Sequence, residues 1–112
     1  MKLFLGIIFF VSAHLITWFQ INGQFMWEWF KNNTFILALL GIPISYLYIW
    51  ATRYTVGHYE GLLWPARFIG FGVGMLVYTI LVYQFFNEGI SMKTMVSLLL
   101  AISILLIQIF WK

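Results

Sequence analysis

Four apolar runs, each of 18 or more residues, follow one another along this chain with only short polar interruptions between them. A bilayer core is about 30 Å thick and takes about 20 apolar residues of helix to cross. Inside it every backbone N–H and C=O must be satisfied within the segment, which makes α-helix the form such runs take. The runs predict an all-α integral membrane protein: a bundle of four transmembrane helices forming a single membrane domain over residues 1–112. With 63% of residues apolar and 8% charged, a water-soluble domain of this length would have too little polar surface.

The helices are expected at about 3–21, 34–52, 65–86 and 92–111. The first fifteen residues, "MKLFLGIIFFVSAHL", also look like a signal peptide, with Lys2 ahead of an apolar stretch and Val11-Ser12-Ala13 as a small-residue cleavage site. Apolar residues continue to Phe19, however, and favour a first span. The link "NGQFMWEWFKNN" opens on Asn-Gly and closes on Asn-Asn; Trp27 and Trp29 suit the headgroup level, so it should lie along one membrane surface. Pro43, in "GIPIS", predicts a kink in the second helix, serving packing or lining a cavity.

An even number of spans places both termini on one side. Lys2, Arg53, Arg67 and Lys112 fall there, against Lys31 and Lys93 opposite. The positive-inside rule then puts both termini in the cytoplasm, as in a multi-pass protein of a bacterial plasma membrane, with dual insertion left open.

Formal net charge is +3, with no basic run or aromatic platform of the nucleic-acid type, so nucleic acid is not an expected partner. The absence of cysteine removes disulfides, thiolate chemistry and Cys-based zinc sites. No nucleophile–base pair or metal cluster is visible. No catalytic residue, metal or cofactor is expected, and an enzyme acting on a soluble substrate is the least favoured class. The lipid bilayer is the first partner. Four helices of this length enclose little space, so a substrate path fits better between two copies, in a homodimer or larger assembly.

Ionisable groups within membrane spans are costly and mark candidate functional sites. His14 lies near the middle of helix 1, with Thr17 three residues on and on the same face. A neutral imidazole there can act as hydrogen-bonding glue between helices or as a proton or substrate site. Gly70 and Gly74 form a GxxxG pair in helix 3, and Ser97 and Ala101 repeat that small-residue spacing in helix 4; both suggest close helix approach. Aromatics, 21% of the chain, suit an interfacial belt, and several could also cage an organic cation.

The stretch "TVGHYEGLLWPARFIG" admits two readings. If helix 3 starts near Glu60, then Glu60, Trp64 and Arg67 share a face that could line a polar cavity. At about 1.5 Å per residue, Glu60 and Arg67 would be roughly 10 Å apart, so each would need its own partner; Glu60 with His14 makes an acid–base pair. If helix 3 starts at Pro65, which suits a first helical position, Trp64 is an interface anchor, Arg67 snorkels to the headgroups, and His58 and Glu60 lie in a solvated loop. Phe68 to Phe86 is already long enough to span, which favours the second reading.

From Tyr48 to Phe110 the chain resembles the small multidrug resistance proteins, four-helix members of the drug/metabolite transporter superfamily. "YIWATRYTVGHYEGLLW" is similar to the stretch joining their helices 2 and 3, which ends on an aromatic residue and, four positions later, a Trp, a place taken here by Tyr59 or Glu60 and by Trp64. The glycines of helix 3 and the hairpin "FFNEGISMKTMVSLLLAISILLIQIF" are similar too. The resemblance implies an antiparallel homodimer exchanging protons for cationic or guanidinium-like substrates, coupled through a glutamate in helix 1. Here His14 occupies that place, and the glycines of the family's helix 4 are replaced.

Two functions follow as expectations. One is a small secondary transporter for a small polar or cationic solute, or a lipid-linked head group, with His14, Thr17, Tyr59, Glu60, Trp64 and Arg67 as candidate site residues. The other is a non-transporting accessory subunit or helical scaffold.

Overall fold

The computed structural model describes residues Met1 to Trp111; Lys112, counted above among the cations of the N-terminal side, lies outside them. Helix α1, Lys2–Asn22, is followed by a 3₁₀ turn, Gly23–Phe25, and a short helix α2, Glu28–Asn32. Then come α3, Thr34–Leu39, α4, Gly41–His58, α5, Trp64–Phe86, and α6, Met92–Phe110. The four spans are Lys2–Phe25, Thr34–His58 (α3 with α4), Trp64–Phe86 and Met92–Phe110, each long and apolar enough to cross a membrane. The fold is an all-α four-helix bundle of a multi-pass membrane type.

Pro43 explains the break between α3 and α4. Its ring crowds the carbonyl of Leu39, and it offers no N–H to that carbonyl. The chain tightens just before it, with Leu40 N–H donating to Leu37 O at 3.0 Å in place of the helical i−4 bond. The Gln20 side chain of α1 adds a second donor to Leu37 O at 2.9 Å, tying the break to the first span.

The second span extends to His58, beyond the end expected near Thr52, and His58 is helical rather than in the loop. Gly61 N–H donates to Val56 O at 2.9 Å, the six-to-one bond of a Schellman end, and Glu60 takes the left-handed position with φ 58°. Helix α5 then starts at Trp64 with Pro65 in its first turn, which settles the boundary against a start near Glu60. At the opposite membrane side Asn87, with φ 53°, closes α5. Ser91 Oγ caps α6 by accepting from Thr94 N–H at 3.2 Å.

The core lies where α1, α4 and α5 meet, with α1 packed most extensively on α4. Along this seam Gly6, Phe10 and Ala13 of α1 are buried, as are Ile44, Ala51 and Thr55 of α4. Thr55 is fully buried and turns its hydroxyl back to Ala51 O at 2.8 Å, so that this hydroxyl is paired within α4 where it faces Gly6. Helix α6 is different: its main neighbour is α5, through Gly72 against Leu105 and the buried Ala101. Its other faces, including Leu99, Leu100, Leu106 and Ile107, are uncovered. The bundle is therefore three packed helices with a fourth at the edge.

Candidate functional site

One face of α5 carries Arg67, Gly70, Phe71, Gly74, Met75 and Tyr78, at offsets of 0, 3, 4, 7, 8 and 11 residues, the repeat of a single helical stripe. Two glycines in that stripe remove side chains where α1 needs room. A Cβ at Gly70 would come within 2.9 Å of the Phe10 ring, and one at Gly74 within 2.6 Å of the His14 ring. The stripe thus does not close on α1 and α4. It leaves a cavity of about 630 Å³, completed by Phe10 and His14 from α1 and by Tyr48 and Thr52 from α4. That volume is within the ~300–1,000 Å³ common for small-molecule sites.

His14 forms the floor. Its Nε2 lies 2.9 Å from Gly70 O and its Nδ1 3.1 Å from the Tyr48 hydroxyl. A carbonyl oxygen can only accept, so Nε2 carries a proton; in the neutral ring Nδ1 is then the acceptor and Tyr48 O–H donates to it. The imidazole is a doubly bonded link joining all three core helices. The Tyr48 ring meets it nearly edge-on, at 82° with centroids 5.3 Å apart, and Phe10 flanks it at 6.4 Å.

Among the described residues Arg67 is the only charged one lining the cavity, and it stands, exposed, at the end nearest the α4–α5 turn. All three acidic residues of the chain, Glu28, Glu60 and Glu88, are elsewhere. Among the described residues the polar lining is therefore one cation, one imidazole and the hydroxyls of Tyr48, Thr52 and Tyr78.

Of the candidate substrate or proton site residues, the cavity brings together His14 and Arg67, with Gly70 and Gly74 of the packing pair also in its lining. Glu60 is exposed in the turn and forms no acid–base pair with the His14 of its own chain, whose two nitrogens are both engaged by other groups. Trp64 is 73% exposed and stacks on Phe68, outside the cavity, which suits an interface anchor. Tyr59 donates to Gln108 O at 3.1 Å and so ties the turn to α6; partial burial raises its phenol above the ordinary value of 10.0, which keeps it a donor. Thr17 does not reach the cavity either, and its hydroxyl is buried without a hydrogen-bond partner among the described residues. Gly70 and Gly74 do admit a close neighbour, but it is the side chains of α1. Of the pair in helix 4, Ala101 packs inward while Ser97 is exposed and bonds Lys93 O at 3.0 Å.

Tyr48, Thr52 and Tyr78 are the residues that sequence reasoning missed. A signal existed: Tyr48, Thr52 and Thr55 follow one another at offsets of 4 and 7 residues along an otherwise apolar span, and Tyr78 lies eleven residues from Arg67 on its own face.

The position of the turn can be read in a cysteine-free chain, which has no background thiols. Glu60→Cys should react quickly with a membrane-impermeant maleimide from one side of the bilayer, whereas Ile80→Cys, exposed within the apolar span of α5, should not. Protection of Glu60→Cys from both sides would place the turn inside the membrane.

No family model, curated protein or solved structure matches this chain, so the case for function rests on the cavity's own chemistry.

Proposed function

We propose that this protein is a small secondary carrier for a small polar solute or a lipid-linked head group, working as a homodimer in a bacterial plasma membrane with both termini cytoplasmic. The observation that carries the reading is the cavity between α1, α4 and α5. Its walls are mostly apolar, its few polar groups converge, and its floor is an ionisable residue held at mid-span. The resemblance to small multidrug resistance proteins supports a carrier. The lining speaks against their cationic substrates, because it offers a cation an arginine and no carboxylate.

The test is flux in proteoliposomes loaded with a pH-sensitive dye and challenged with small polar and single-chain amphiphilic solutes. His14→Ala should remain folded, since it leaves one hydroxyl, that of Tyr48, without its acceptor, a cost of about 1–3 kcal/mol. It should lose the solute-dependent flux of the native protein. Unchanged flux in the variant would remove His14 from the mechanism.

A second reading has an observation of its own. The uncovered apolar faces of α6 favour a scaffold or accessory subunit that assembles through that helix. It predicts a larger assembly, or co-purification with a partner, and no flux for any solute.

A further inference from the structure

The cavity has a polarity along its length. Arg67 is in the first turn of α5, at the end of that span, while Phe71, Met75 and Tyr78 follow it toward the middle of the span on the same face. From Arg67 to Tyr78 the helix advances about 16 Å, the length of a medium alkyl chain. The charge at the shallow end is positive and meets no carboxylate among the described residues of the lining. The wall beyond it is mainly apolar, with Phe10, Phe71 and Met75 among its residues.

A neutral solute would leave the guanidinium unused, and a cation would be repelled by it. A free inorganic anion would use the guanidinium and leave the apolar wall empty. An amphiphile with an anionic head and one chain fits both ends. Its head sits at the depth where membrane phosphates already lie, so it can enter from the bilayer without carrying its charge through hydrocarbon.

We propose that the cavity binds a single-chain amphiphile with a phosphate or carboxylate head, the head paired with the Arg67 guanidinium and the chain laid along Phe71 and Met75. The inference rests on the carrier reading of this cavity and names the charge and shape of what it takes. Arg67 is suited to the head because its planar fork can donate two parallel bonds to phosphate or carboxylate oxygens. The depth of the chain is set by Gly74 and the His14–Tyr48 pair. With its proton committed to Nδ1, the Tyr48 hydroxyl offers the ligand only lone pairs.

The full chain in phosphatidylcholine nanodiscs provides the test, with binding measured for radiolabelled dodecyl phosphate, dodecyltrimethylammonium, dodecyl maltoside and inorganic phosphate. Two variants accompany the native protein: Arg67→Gln, which removes the charge, and Met75→Trp, which fills the cavity and leaves Arg67 in place. Partitioning into lipid is common to all three proteins and is subtracted as their shared background.

Dodecyl phosphate should bind saturably to the native protein, about tenfold or more weakly to Arg67→Gln, and only at background level to Met75→Trp. Inorganic phosphate should not bind measurably, which separates the amphiphile from a free anion. The proposal is overturned if Arg67→Gln binds dodecyl phosphate as well as the native chain does, if dodecyltrimethylammonium binds as tightly, or if inorganic phosphate alone saturates the site. In those cases Met75-sensitive binding of another probe would leave the cavity a solute site. Absence of Met75-sensitive binding for every probe would overturn this inference and the carrier reading together.

Discussion

Replacing Gly6 by valine should lower the thermal stability of this protein by about 2–3 kcal/mol as an overpacked core contact. The reason is what lies opposite. A Cβ at Gly6 would run into the Thr55 hydroxyl and stand 3.2 Å from Ala51 O and 3.3 Å from Thr55 N, which are backbone atoms of α4. Backbone cannot swing aside, and the Thr55 hydroxyl is itself held by Ala51 O at 2.8 Å in a fully buried position. Relief requires the whole of α1 to move away from α4 at the closest approach of the two helices, loosening Phe10 and Ala13 as well. Gly41→Ala is the matched control, because a Cβ there meets nothing within 4 Å. Melting curves in detergent should show a large drop for Gly6→Val and almost none for Gly41→Ala. Equal curves would mean that the α1–α4 seam does not limit stability.

The second large effect is conditional. Gly74→Ala adds one methyl group, yet that carbon would come within 2.6 Å of His14 Cε1, 2.8 Å of Nε2 and 2.9 Å of Nδ1. A free imidazole could rotate away. This one is bonded on both nitrogens, so the methyl must break the links to Gly70 O and Tyr48, with an expected loss of about 1–3 kcal/mol and of the cavity's shape. In a His14→Ala background the same methyl has open space to enter. Gly74→Ala should then be neutral or mildly stabilising, since alanine is the better helix former by about 1 kcal/mol. A double-mutant cycle on melting temperature reads the coupling directly. Additive effects of His14→Ala and Gly74→Ala would show that the ring does not occupy the groove left by Gly74.

These two glycines also show what can be read from one sequence. Hydropathy is a property of a contiguous stretch, and the four spans, the Pro43 break and the Pro65 start were legible because each is local. The end of the second span was not. Thr52, Arg53, Thr55 and His58 read as residues leaving the membrane, whereas the helix carries them on for a further turn and a half, with Thr55 buried against α1. Gly70 and Gly74 were noticed because their spacing lies within one helix. Gly6 was not, because its partners Ala51 and Thr55 are on another helix, and pairing across helices has no local signature.

The site divides in the same way. His14 and Arg67 were legible since an ionisable residue in an apolar span needs a reason. Tyr48 and Tyr78 were not, because a tyrosine in such a chain has the ordinary explanation of an interfacial belt, and only the fold brings Tyr48 to His14. Glu60 was conspicuous for its charge, but its place follows from the main chain: it is the left-handed residue that ends α4.

The group that orients His14 is a carbonyl of the peptide backbone, and this has a consequence for heredity. A carboxylate or amide in that role could be lost in one codon change, and the ring could then turn over. Every residue type that could replace glycine at position 70 still presents the same oxygen, provided that α5 stays helical. The tautomer, and with it the direction in which Tyr48 spends its proton, is thus encoded in the helix itself. Drift can change which residues surround the floor of this cavity; as long as histidine and tyrosine stand at 14 and 48, it cannot readily reverse the floor's polarity.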